Sequence, residues 1–202
     1  MVCAWTVILL HSLDTKKQGA GALCRPKELT ALTKRLVENC LTSFDKANGK
    51  HLGTWSPGFP EIQVQQNTPL VPSRVQCSLL FMAQGLQEVL VDQRTNLNPN
   101  DFSLHKDLEN TITQINMLSE CLRHILGGKC SSNPPPPEMP TLLFERKQWS
   151  HTLLQKSREY LKWLQHNIQV QNHTRPHTTK VTNKTKHKDI AVRYFQGSGH
   201  HL

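Results

Sequence analysis

No run of 18 or more apolar residues occurs in this chain, which excludes a multi-pass membrane protein. Acids are few: 15 Asp and Glu stand against 24 Lys and Arg, a formal charge of +9. That excess raises nucleic acid, heparan-type polyanions or a membrane surface as partners, although net charge speaks to association and not to fold. Catalytic signatures are missing too, since the chain has no G-x-S-x-G, G-x-G-x-x-G, P-loop, H-E-x-x-H or C-x-x-C. Single histidines on helical segments, such as His105, His124 and His151, read as surface or structural residues. The expectation is a protein that is not an enzyme and has no cofactor, no metal and no small-molecule substrate. Mean hydropathy is −0.49 and apolar content 37%, which fits a soluble globular part diluted by polar segments. A length of 202 residues is enough for one domain with its own core.

The first residues bear on compartment. Val2 to Leu13 is an apolar run of signal-peptide length, and Ala20-Gly21-Ala22 supplies small residues at a plausible cleavage distance, so residues 1–22 are expected to be a signal peptide. The sequons at Asn172 and Asn183 agree with export and mark both as glycosylation candidates. Removing the leader takes Cys3 with it. Cysteines 24, 40, 77, 121 and 130 then remain, an odd count that leaves at least one thiol outside an intramolecular bridge.

Prolines divide the rest. They cluster at 57, 60, 69 and 72 and again at 134–137 and 140, and an interior proline breaks a helix, so both clusters are loops. The segments between them carry helical periodicity. Leu29, Leu32, Leu36, Cys40 and Phe44 predict a helix from Lys27 to about Asn48; Val75, Leu79, Met82, Leu86 and Val89 predict one from Ser73, as N-cap, to about Arg94. Leu104, Leu108, Ile112, Ile115, Leu118, Leu122 and Ile125 mark a third from about Asn100 to Leu126. Trp149, Leu153, Tyr160, Leu164 and Ile168 mark a fourth from about Thr141 to Asn172. No period-2 run of β-branched residues competes with these helices.

Connection lengths then predict topology. About 24 residues separate the first two helices, about five the next pair and about 14 the last. A short link forces antiparallel neighbours, whereas a long one can climb the bundle and start the next helix parallel. The order long, short, long predicts an all-α, long-chain four-helix bundle over 23–172, wound up-up-down-down with two long crossovers. Beyond it, residues 173–202 hold six Lys or Arg, one acid and five histidines, with few apolar groups. Such a stretch cannot offset its ordering entropy, and a disordered, basic, His-rich tail is expected, open to polyanions. A nucleic-acid-binding protein acting through this tail is the alternative.

Two segments carry a family resemblance. Asp92 to Leu108, DQRTNLNPNDFSLHKDL, and Phe144-Glu145-Arg146-Lys147 at the start of the fourth helix resemble the leukaemia inhibitory factor and oncostatin M branch of the interleukin-6 family of helical cytokines. The resemblance implies a secreted, extracellular ligand that brings two receptor chains together. One surface, on the first and third helices, would take the shared signal-transducing subunit, with Lys34, Glu38, Gln114 and Met117 as candidates because they lie off the apolar stripes. A second would engage a leukaemia inhibitory factor receptor-like or oncostatin M receptor-like chain through Phe144 and Lys147. The resemblance also implies a Cys24–Cys121 bridge, with Cys130 as an alternative partner for Cys24. Family members use a cysteine of the fourth helix for a second bridge; none exists here between 141 and 172, so Cys40 is expected to be a buried thiol.

Overall fold

The structure, a computed structural model, describes residues 24–131 and 137–174, with side chains described as far as 169. It is all-helical, with no strand among the described residues. α1 spans Pro26–Asn48, α2 Pro72–Asp92, α3 Phe102–Leu126 and α4 Leu143–Thr174; a 3-10 turn covers Pro60–Ile62, and α2 passes into a π-helical turn at Gln93–Leu97. The expected leader at 1–22, the basic tail beyond 174 and Asn183 lie outside the described residues.

Local residues set several of the helix ends. Pro26 and Pro72 open α1 and α2, where a fixed φ suits the first turn and the missing N–H costs nothing. Ser73, expected to cap α2, therefore lies inside it, and the cap position falls to Val71, which makes no side-chain cap. Asp101 caps α3 by accepting from the Leu104 N–H at 3.0 Å. Gly49 and Gly127, both at positive φ, end α1 and α3.

The core draws on all four helices. The apolar stripes expected on α2 and α4 are buried throughout, and α2 adds Phe81, Ala83 and Leu90. α3 buries its stripe except at its edges, where Ile112 is half-buried and Ile125 exposed. α1 departs from expectation. It buries Thr30, Thr33, Val37, Cys40, Leu41 and Phe44, while Leu32 is exposed and Leu29 and Leu36 only half-buried. The two threonines can face inward because their hydroxyls donate to the Pro26 and Leu29 carbonyls one turn back, at 2.7 and 2.8 Å.

α1 packs on α3 and α4, and α2 packs mainly on α3. Gly85 permits close approach of α2 to α4, since a Cβ there would sit 2.7 Å from the Leu153 side chain. The segment between α1 and α2 contributes core of its own. Phe59 meets Trp55, Phe81 and Trp149 at ring-centre distances of 5.4, 5.9 and 5.3 Å. Its backbone is satisfied by the flanking helices: Gln148 donates to the Leu52 carbonyl at 2.7 Å, Ser78 to that of Glu61 at 2.7 Å, and the Trp55 N–H donates to Thr152 at 2.8 Å.

Disulfides join Cys24 to Cys121 and Cys77 to Cys130, setting the starts of α1 and α2 beside the end of α3 and the residues just beyond it. Cys130 is thus partnered with Cys77, which corrects its alternative pairing with Cys24. At the opposite ends, Ser43 donates to Asp107 at 2.6 Å, His151 lies 3.1 Å from Asp45, and Arg146 lies 3.5 Å from Asp92.

Candidate functional site

Two surfaces carry candidate residues, and the first is the opening turn of α4. Here Leu142, Leu143 and Phe144 are 63, 57 and 55% exposed in succession, and Lys147 follows one turn on, half-buried. Three consecutive exposed apolar residues are a folding and solubility liability unless they serve a contact. Phe144 therefore projects outward, and the first large α4 side chain in the core is Trp149.

The Asp92–Arg146 pair joins this turn to the long motif at 92–108, which buries Asp92, Gln93, Leu104, His105 and Leu108 and leaves its other residues half-buried or exposed, Phe102 at 75%. Gln93 accepts from Asn48 at 3.1 Å and from Asn98 at 2.7 Å; Asn98 also donates to the Asn48 side chain at 3.0 Å, and His105 meets the Asn98 carbonyl at 3.0 Å. Asn48, Gln93 and His105 are buried, so the network ties the end of α1 to the link between α2 and α3. The buried part of the motif is therefore scaffold for the junction of α1, α2 and α3.

The second surface is a groove between α1 and α3 of about 830 Å³, floored by Leu29, Leu32 and Met117 and closed at one end by the Cys24–Cys121 bridge. Leu32 and Met117 are 43 and 53% exposed. Its rim is charged. A hydrogen bond from Arg123 is the main cause holding the Glu120 carboxyl down at about 2, with His124 2.8 Å away adding to it.

Of the candidates placed on this side, Met117 lines the groove, but Lys34 and Glu38 do not; they face each other along α1 at 3.9 Å. Gln114 is buried, not on the open surface that its place off the apolar stripe implies. Leu29 and Leu32 were hidden from sequence reasoning because their spacing assigned them to the core. The signal against that assignment was the competing Val37, Leu41 and Phe44 spacing on the same helix. The signal for Leu142 and Leu143 is the apolar run they form with Phe144, just past Pro140-Thr141.

Cys40 is fully buried, and burial, ahead of the nearby Asp107 charge, pushes its thiol up to about 12, which makes it a core residue and not a nucleophile. Asn172 falls in the closing turn of α4. Among the described residues no group of three or more His, Cys, Asp or Glu could hold a metal, and no helix is long and apolar enough to cross a membrane. No protein-family model matches the chain, and no curated protein matches it.

Proposed function

We propose that the chain is a secreted helical cytokine that brings two receptor chains together on the cell surface. The observation that carries this reading is the exposed run Leu142-Leu143-Phe144 with Lys147 beside it, on a first helical turn that does not enter the core. An exposed aromatic gains by desolvation against a partner pocket, and an adjacent lysine adds charge complementarity, the usual make-up of a hot spot. The α1–α3 groove, apolar at its floor and charged at its rim, is the surface proposed for the shared signal-transducing subunit. The proposed fold is the long-chain bundle wound up-up-down-down. It is supported by the disulfides, which set the starts of α1 and α2 near the end of α3, and by the Ser43–Asp107 and Asp45–His151 contacts at the other pole. Two disulfides in one small domain also fit an oxidising, extracellular setting.

The test is binding of the full chain to immobilised ectodomains of the shared subunit and of the leukaemia inhibitory factor and oncostatin M receptors. Phe144→Ala with Lys147→Ala is expected to weaken one of the latter by at least about 2 kcal/mol, or about thirtyfold, with unchanged helicity. Undiminished binding by the double variant would sink the site, and failure of the parent chain to bind any ectodomain would sink the function.

A further inference from the structure

The two segments that stood out in the sequence meet at one point: Asp92 opens the first and Arg146 lies inside the second, and the Asp92 Oδ1 is 3.5 Å from the Arg146 Nε. We infer that Asp92 is a positioning residue, whose buried carboxylate holds the Arg146 guanidinium and so fixes the orientation in which the first turn of α4 presents Phe144 and Lys147. This inference rests on the reading of that turn as a receptor contact.

Both groups are placed at a cost. Asp92 is a buried carboxylate where α2 runs on into the π-helical turn, and Arg146 lies in the first turn of α4, where the helix dipole disfavours a cation. Neither position is cheap in solvation. Asp92 is buried, its Oδ1 accepts from Asn96 at 2.8 Å, and its Oδ2 and the Arg146 Nε lie in the interior without a hydrogen bond. A buried acid and a cation at a helix start, each costly where it stands and set against one another, fit a pair kept for function more than for stability.

The pair is also the turn's tether to the rest of the molecule. Residues 141–145 are exposed. Inside the turn, the Arg146 N–H reaches the Leu142 carbonyl at 2.9 Å. The next anchors come later, where Gln148 binds the Leu52 carbonyl and Trp149 enters the core. Without Asp92 the opening turn would fray, and a partner would have to order it on binding.

The experiment uses the full chain with Asp92→Asn, Arg146→Gln, both together, and Arg146→Lys. Binding is read against the ectodomain that Phe144→Ala weakens and against the one that binds the α1–α3 groove. Hydrogen exchange is followed at the amide of Arg146, which binds the Leu142 carbonyl, and at those of the residues just after it. Asp92→Asn and Arg146→Gln are each expected to weaken binding at the α4 turn by about tenfold, through faster dissociation, while groove binding is unchanged. The double variant should be no weaker than Arg146→Gln alone, and Arg146→Lys should retain most of the affinity. Exchange in the turn should quicken by about tenfold in Asp92→Asn, independently of any receptor. Loss of affinity in Arg146→Gln but not in Asp92→Asn would make Arg146 a direct contact and overturn the positioning role. An equal loss at both surfaces would mean general destabilisation and would overturn it as well. If Phe144→Ala weakens nothing, the receptor reading fails, and the exchange measurement still decides whether Asp92 orders the turn.

Discussion

Cys40 illustrates what burial does to one titratable side chain. Its thiol, normally at 9.0, is pushed to about 12 by burial, then by Asp107, despite a hydrogen bond with Thr111. A raised acid keeps its proton in the folded state while the unfolded chain releases it, so the stability it confers is intact below pH 9 and lost as pH rises towards 12. In that window urea unfolding is expected to show stability falling by about 1.4 kcal/mol per pH unit. Cys40→Ala should remove the slope between pH 9 and 10, leaving the contribution of Tyr160, raised by burial from 10.0 to about 12, to appear above it. A slope unchanged by Cys40→Ala would show that another group carries it. Neighbouring residues on α3 give an equally local contrast. Leu118 is fully buried and Met117 half exposed, so Leu118→Ala should cost about 3 kcal/mol in denaturant unfolding and Met117→Ala less than about 0.5. Met117→Ala should show instead as weakened binding at the groove.

At the scale of elements, α2, α3 and α4 were legible because their inward residues recur at helical spacing and are mostly apolar. α1 was legible as a helix but not in its orientation. Its sequence offers two overlapping stripes, and the one that faces inward includes Thr30 and Thr33, whose polarity is concealed by bonds to their own helix. The stripe left outside, Leu29 and Leu32, became the floor of a groove. The prolines of the link from α1 to α2 mark it as a loop, yet Leu52, Phe59 and Ile62 are core residues. Phe59→Ala is therefore expected to cost about 3 to 4 kcal/mol in thermal or urea unfolding, as a helical core residue would. A cost below about 1 kcal/mol would show that the link detaches without disturbing the helices.

At the scale of the molecule, two disulfides cross-link the same pole, with sequence separations of 97 and 53 residues. In the chain-entropy account, replacing Cys24 and Cys121 by Ser should lower unfolding stability by about 4 to 5 kcal/mol, and replacing Cys77 and Cys130 by slightly less. Near-identical midpoints for parent and either double variant would show that the reduced chain is already held by packing. Charge divides unevenly at this scale, since 173–202 alone carries six bases against one acid, so more than half of the +9 lies in that segment.

The sequence by itself determined the number and extent of the helices, the breaks between them and the apolar stripes of three, because periodicity, prolines and terminal glycines act within a few residues of where they stand. Tertiary structure decided what depends on partners distant in the chain. Val37 rather than Leu32 faces the core of α1, Cys77 rather than Cys24 takes Cys130, and Phe144 stays outside. In each case the local chemistry allowed more than one answer, and the choice was made by which surfaces the four helices could bury against one another.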